Sequence, residues 1–357
     1  MPEASGGTYR EAGVDLDAAE EAVGRIRPHA ARTARPEVVA GVGGFAGLFA
    51  LDPARWREPV LVTAADGVGT KLEMARRVGR HRPVGVDLVA MVVDDLVVSG
   101  AEPLVFLDYL AVGRLDPDHV EQVVAGVADG CEQAGCALVG GETAEHPGVL
   151  PVGGYDLAGF GVGVVERERL LGPHRVRRGD ALVAMASSGL HANGFSLVRR
   201  VVGELDLAAV HPALDGPLGE ALLRPTRIYA PDCLALDRAV RLHALCHVTG
   251  GGIRGNLPRV MPEGLGAVVD AATFPRPAPV FAFLRRHVAE DEMWRVFNMG
   301  AGMLAVAPDG PAAVDVLRER GVEAWVCGAV DEGPGVRLAG VGAGGASPAA
   351  ARSPANG

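Results

Sequence analysis

The sequence predicts a two-domain protein of the α/β class. Three observations carry this reading. The chain has 357 residues, more than one ordinary core holds and enough for two. Its first half alternates short apolar runs with longer segments of helical periodicity. A cluster of Pro and charged residues from Gly172 to Gly179 then breaks the pattern, and an apolar strand restarts at Asp180. The domains are therefore set at 1–172 and 173–330, with 331–357 as a disordered tail rich in Gly, Ala, Pro and Ser.

In the first domain, Met1 to Gly7 is small and polar and forms a loose end. Val14 to Ile26 can form a helix, and Gly41 to Gly47, which includes Gly43 and Gly44, is a mobile glycine-rich loop. Pro59 to Ala64 is a buried strand ending in Asp66-Gly67-Val68-Gly69-Thr70-Lys71, and a helical pattern follows to Val78. Gly85 to Ser99 is a helix stopped by Gly100. Leu104 to Val112 is a strand, and Pro117 to Ala134 is a helix capped by Asp116. Ala137 to Val139 is a strand running into Gly140-Gly141-Glu142-Thr143, and Asp156 to Val165 is another strand. The second domain opens with a strand, Asp180 to Ala186, and the loop Ser187 to Gly194, and ends near Val330.

Composition removes several function classes. Hydrophobic residues at 48% and charged residues at 22% describe a globular chain, not a disordered one. The net charge of -10 argues against nucleic acid as the main partner, though a nucleotide needs only a few local cations and backbone amides. No segment reads as a membrane span or secretory signal, so no membrane partner is expected and the cytoplasm is the expected location. Five cysteines without a CxxC pair read as buried free thiols, not a zinc site or disulfide framework. Lys71 is the only lysine in the chain.

The acidic residues carry the chemistry. Mg²⁺ takes carboxylates, waters and phosphate oxygens, and glycines let backbone approach phosphates closely. Asp66 ends an apolar strand beside glycines, an arrangement that also occurs in ordinary turns. Asp87, Asp94 and Asp95 lie on an otherwise apolar helix. Asp87 and Asp94, about 700° apart around the axis, share a face, and Asp95 lies about 80° away. Such a stripe is either solvated or compensated by a cation. Glu142 also follows a strand and two glycines. Together the three elements point to a magnesium–nucleotide site.

These segments occur in an order that resembles the aminoimidazole ribonucleotide synthetases, or phosphoribosylformylglycinamidine cyclo-ligases. The matching stretches are Tyr9 to Asp15, Arg35 to Val38, Asp66 to Lys71, Asp94-Asp95-Leu96, Gly100 to Pro103 and Gly140 to Glu145. Ser187 to Gly194, Pro225 to Tyr229, His247 to Gly252 and Phe297 to Gly300 continue the series. The resemblance runs from about Tyr9 to about Val330. It implies two α/β domains in an ATP-binding fold. The N-terminal mixed sheet pairs with a second copy into a dimeric β-barrel, and the C-terminal sheet is flanked by helices. It implies ATP-dependent conversion of formylglycinamidine ribonucleotide to aminoimidazole ribonucleotide, ADP and phosphate.

On that resemblance, Asp66, Asp95 and Glu142 hold Mg²⁺. ATP contacts come from Gly43, Gly44, Asp66, Gly67, Gly69, Thr70, Lys71, Asp87, Asp94, Gly141 and Thr143, with Lys71 neutralising phosphate charge. The catalytic residues are His191, Asp66 and Lys71, with His191 for proton transfer or for stabilising developing charge. The substrate meets Arg27, His191, Asn193 and the backbone cradle of Thr249, Gly250, Gly251 and Gly252. Two positions depart from the family pattern: Asp94 stands where Asn is frequent, and Arg27 where Lys is frequent. Arg27 keeps the charge but cannot serve as a base, so phosphate contact is its role. Thiamine-monophosphate kinases, selenophosphate synthetases and hydrogenase-maturation dehydratases share the acidic and glycine motifs. The segments Ser187 to Gly194 and His247 to Gly252 favour the cyclo-ligase, and no Cys precedes Cys131 as a selenophosphate synthetase would require.

Overall fold

The computed structural model describes residues 7–214 and 216–340. The N-terminal half contains α1 (Leu16–Arg32), β1 (Val38–Ala40), β2 (Leu48–Phe49), β3 (Pro59–Gly67), α2 (Lys71–Val78), α3 (Arg82–Val97), β4 (Glu102–Val112), α4 (Pro117–Ala134), β5 (Ala137–Glu145) and β6 (Tyr155–Glu166). The C-terminal half contains β7 (Ala181–Ala186), α5 (Phe195–Val202), α6 (Leu218–Leu223), α7 (Ala230–Ala239), β8 (Ala244–His247), α8 (Gly252–Asn256), β9 (Leu265–Asp270), α9 (Pro279–Leu284), α10 (Glu290–Val296), β10 (Ala301–Ala307), α11 (Gly310–Glu319), β11 (Ala324–Glu332) and β12 (Gly335–Ala339).

The first half is a mixed sheet of order β3-β6-β4-β5, with only β4 and β5 parallel. The second is a six-stranded sheet of order β12-β9-β11-β7-β10-β8. The change of sheet falls between Glu166 and Ala181, across two short 3₁₀ turns. The glycine-rich segment 41–47 connects the antiparallel pair β1 and β2.

α3 is apolar nearly all round because it is enclosed nearly all round. One side covers β3 and β6, where Gly159 and Gly161 leave room for Leu88, Val92 and Leu96. Another packs on α4, where Gly85 and Gly126 bring the backbones so close that added methyl groups would strike main-chain atoms. Its remaining surface meets the C-terminal half at α7 and β8. α4 starts as its sequence requires, with Asp116 accepting the Asp118 amide hydrogen at 3.0 Å.

The expected tail from residue 331 is corrected. β11 runs to Glu332 and β12 pairs in parallel with β9. Two apolar side chains, Val336 and Leu338, pack on the core, enough for one short edge strand. The rest of the expected tail, 341–357, and positions 1–6 of the loose end lie outside the described residues.

Candidate active site at the domain seam

β3 delivers Asp66 to the C-terminal edge of the first sheet. Gly69, at φ +66°, turns the chain from there into α2. Asp66 accepts the Gly67 amide hydrogen at 2.7 Å. Burial pushes its carboxyl above the usual range, and Asp95 adds to the rise. Asp95 is the α3 acid open to solvent, with its side chain 39% exposed. Its Oδ1 accepts the Nδ1–H of His247 at 2.9 Å, from the end of β8. Burial alone would lower the His247 pKa, but Asp95, Asp94 and Asp66 together raise it.

The loop after β8 is shaped by Asn256, a residue sequence reasoning missed. Its buried amide donates to the carbonyls of Thr249 (3.3 Å), Gly250 (3.2 Å) and Gly252 (2.9 Å). Gly252 sits at φ +58°, and a Cβ there would stand 2.7 Å from Trp294 O. The amides of Thr249, Gly250 and Gly251 donate to no protein carbonyl among the described residues. Asn193 Oδ1 lies 3.5 Å from where a Gly250 Cβ would be, so the two loops expected to hold substrate meet.

His191 is buried and takes a left-handed backbone at φ +64°, which costs a non-glycine residue roughly 1 kcal/mol or more. Its Nε2 accepts the Ser188 amide hydrogen at 3.3 Å, so Nδ1 carries the proton. Nδ1 is buried without a protein partner among the described residues. Burial first, then nearby cations, hold the imidazole well below its ordinary pKa, so it is neutral at pH 7. Asn298, from the Phe297 to Gly300 motif, fixes this loop by accepting from Ser187 Oγ (3.1 Å) and donating to Gly189 O (2.9 Å).

Three residues expected at ATP lie behind this site instead. Lys71 is wholly buried, and its Nζ donates to Asp87 Oδ1, His191 O and Arg224 O, each at 2.9 Å. Its three donors are used, so none is left for a phosphate. Asp87 is equally buried and also accepts from Thr226 N (2.8 Å) and Thr226 Oγ1 (2.6 Å). Asp94 accepts the amide hydrogens of Tyr229 (2.8 Å) and Ala230 (2.9 Å) at the start of α7. The ATP-contact assignments of Lys71, Asp87 and Asp94 are therefore corrected: they join the two halves. The Asp87 and Asp94 part of the acidic stripe is thus neither solvated nor metal-compensated; only Asp95 keeps solvent access.

Glu142 is also corrected as a member of one carboxylate set. Asp66, Gly159, Asp108 and Gly141 stand in one row of register, on the sheet face that packs under α3. Glu142 stands in the next row, with Tyr109 and Ala158, so it leaves the opposite face. It is also three strand spacings from β3, about 14 Å. Among the described residues no three His, Cys, Asp or Glu side chains gather as a metal site. Arg27, Gly43, Gly44, Gly141 and Thr143 accompany Glu142 on the β5 side of the first sheet. Arg27 Nη2 lies 3.4 Å from the position of a Gly43 Cβ, and Gly47 packs on Val139 of β5. Thr70 Oγ1 bonds Ser196 Oγ at 3.1 Å, joining the Gly67–Gly69 turn to the second half.

The seam thus sets two carboxylates, a glycine loop with free amides and a neutral imidazole against one another. Such a set can hold a cation, an anion and a reacting carbonyl oxygen together. Residues 50–165 match the family model described as AIR synthase related protein, N-terminal domain, and residues 177–341 the corresponding C-terminal domain. A phosphoribosylformylglycinamidine cyclo-ligase from Myxococcus xanthus is 55% identical, covering 92% of this chain and 97% of its own. One from Geobacillus kaustophilus is 50% identical, covering 94% and 98%. Among solved structures, a thiamine-monophosphate kinase from Stenotrophomonas maltophilia superposes with a TM-score of 0.68 at 24% identity, over 89% of this chain and 95% of its own. The hydrogenase maturation protein HypE in complex with ATP superposes with a TM-score of 0.62 at 20% identity, over 92% and 88%. These two establish the shared fold.

Proposed function

The chain belongs to the phosphoribosylformylglycinamidine cyclo-ligase family, and from that premise we propose how its own residues close the ring. It is an ATP-using ligase of purine biosynthesis. The γ-phosphoryl group passes to the formyl amide oxygen of formylglycinamidine ribonucleotide. A substrate nitrogen then attacks that carbon, the C–O bond breaks, and phosphate leaves with the oxygen. The nitrogen loses a proton, and aminoimidazole ribonucleotide and ADP remain. The protein supplies position and charge compensation.

Asp66 and Asp95 are the Mg²⁺ ligands in this reading. The donor set fits, because Mg²⁺ is ordinarily held by one or two carboxylates plus waters and phosphate oxygens. Asp95 keeps an oxygen beyond the one bonded to His247, and its nearness disfavours the charged form of Asp66 without a cation. Bound with ATP, the ion offsets charge on the phosphates. His247 holds the Asp95 carboxylate in place. His191 donates its Nδ1–H to the substrate oxygen as that oxygen takes up charge on C–O cleavage and leaves with the phosphate. The loop Thr249 to Gly252 receives the ribose phosphate on the free amides of Thr249, Gly250 and Gly251, and Asn193 braces substrate between the loops. Gly67, Gly69 and Thr70 line the ATP approach, while Arg27 beside the Gly43–Gly44 loop supplies a second cation for phosphate.

The same reading makes the protein a homodimer. The first sheet leaves one face uncovered, with Leu61 63% and Phe160 46% exposed on it. Glu142 lies on that face, where pairing of two sheets would enclose it. Among the described residues no helix is long and apolar enough to cross a membrane, and all five cysteines are buried free thiols, which supports a reducing cytoplasm.

The observation that carries this function is the meeting of Asp66 and Asp95 with the His191 and Thr249–Gly252 loops at one seam. Asp95→Ala tests it. Product formation is expected to fall by about 100-fold or more, with a higher Mg²⁺ requirement, in protein that keeps its native circular dichroism. Wild-type turnover with unchanged Mg²⁺ dependence would remove Asp95 from the site.

A further inference from the structure

We propose that the buried Lys71–Asp87 pair is a positioning device for His191, acting across the domain seam through the His191 backbone carbonyl. The inference rests on the reading that His191 serves ring closure.

The sequence raises the question first. Arginine supplies every other basic side chain apart from the histidines, yet one lysine remains. A solvent-facing phosphate contact would be served equally by arginine, whose planar fork suits phosphate well. An ammonium is different: it is a compact charge with three donors that can converge on three oxygens in a tight space. Lys71 occupies such a space. Its side chain has no exposed surface, and Phe195 lies 5.5 Å away from Nζ to the ring centre. Nζ is 2.7 Å from Asp87 Oδ2 and 2.9 Å from each of the Asp87 Oδ1, His191 and Arg224 oxygens.

The pair reaches both sides of the site. Lys71 opens α2 and Asp87 lies on α3, whereas His191, Arg224 and Thr226 belong to the second half. Holding the His191 carbonyl fixes the left-handed backbone that sends its ring inward. The ring is then confined. Tyr229 lies 6.0 Å away between centroids, and a Cβ on Gly302 would stand 2.3 Å from His191 Cε1. Tyr229 is itself held, through its amide on Asp94 and its hydroxyl on Ala186 O. A strained residue fixed from so many directions is held for its geometry. Loss of the Lys71 anchor lets the loop relax and moves the imidazole.

A kinetic cycle tests this. Lys71→Met, Lys71→Met/Asp87→Asn and His191→Asn are made singly and in combination. The paired neutral variant leaves no unpartnered buried charge and serves where Lys71→Met alone does not fold. Expected is a loss of kcat of about 10- to 100-fold in the paired variant, the scale of an ångström-sized misplacement. Its ATP dissociation constant stays within about 2-fold of wild type. In the His191→Asn background the same changes cost no more than about 2-fold further, because the group they position is gone. The His191 side-chain ¹⁵N resonance, identified by its loss in His191→Asn, shifts in the Lys71 variants. Multiplicative losses in the His191→Asn background would overturn the proposal, as would a tenfold rise in the ATP dissociation constant or an unmoved resonance. Wild-type kcat in His191→Asn is a separate outcome, which would remove the His191 assignment and the inference standing on it.

Discussion

At the residue scale, the site depends on close contacts that tolerate no added atoms. Gly302 is the sharpest case: a Cβ there would stand 2.2 Å from Tyr229 Oη and 2.3 Å from His191 Cε1. Neither ring is flexible, so Gly302→Ala is expected to cost about 1–3 kcal/mol and to displace His191, lowering kcat at least tenfold. Thermal unfolding and steady-state kinetics check the two effects; unchanged values for both would show that the rings yield. Asp108 is a second case, a buried acid whose neighbour must be Gly141 because a Cβ there would fall 2.0 Å from its Oδ1. Burial lifts Asp108 to about 7 from an ordinary value of 3.8. A raised carboxyl pKa means full stability below about 4, lost as pH rises through about 7. Asp108→Asn should therefore flatten stability between those values and leave the variant more stable than wild type at pH 8, by an amount on the order of 2–4 kcal/mol. Urea unfolding at pH 5 and pH 8 measures it; a variant weaker at pH 8 would contradict the sign. Asp66, Asp95 and His191 stand out in the sequence through the ordered motifs and not through local pattern, since an acid at a strand end also suits a turn, a helix acid a solvated stripe and a loop His an exposed surface. Asn256 and Gly302 do not, because their importance lies in what folds against them.

At the element scale, α3 shows how a correct pattern can mislead. The seven-residue spacing placed Asp87 and Asp94 on one face, as found. What sequence could not show was that this face turns to the segment 224–230 of the other half. Desolvation by protein, compensated by Lys71 and backbone amides, replaces both water and metal there. Burial lifts Asp94 to about 7 even with those amides donating to it. Asp94→Ala leaves the Tyr229 and Ala230 amides buried without their acceptor and should cost about 2–3 kcal/mol, with Asn recovering much of it. Chemical unfolding of both variants reads this; equal stability of Ala and wild type would show that water replaces the carboxylate. The strand bounds 102–112, 137–145 and 155–166 each exceed or equal the runs read from apolar residues. Their polar ends continue the hydrogen-bonded ladder without continuing the apolar run. β12 escaped notice for the same reason, since an edge strand needs few apolar side chains.

At the scale of the whole molecule, two sheets and one helix create the seam where the site lies. The alternation of strands and helices was sufficient for the class, and the cluster of Pro and charged residues from Gly172 to Gly179 lies where the chain changes sheet. The alternation was insufficient to place Glu142, because the face a residue takes depends on register across four strands. The uncovered face of the first sheet predicts a dimer: Leu61→Glu/Phe160→Glu should convert a wild-type dimer to a folded monomer in sedimentation equilibrium, and a double variant still dimeric would place the contact elsewhere. All of these features serve one proposed event, closure of the imidazole ring at the seam at the expense of ATP. The most direct measurement follows ADP, phosphate and aminoimidazole ribonucleotide together after formylglycinamidine ribonucleotide and Mg²⁺–ATP are mixed with the purified protein. The account predicts equal amounts of all three, formed only when both substrates are present and abolished in Asp95→Ala. ATP hydrolysis that ignores the ribonucleotide, or ATP binding without any product, would contradict it.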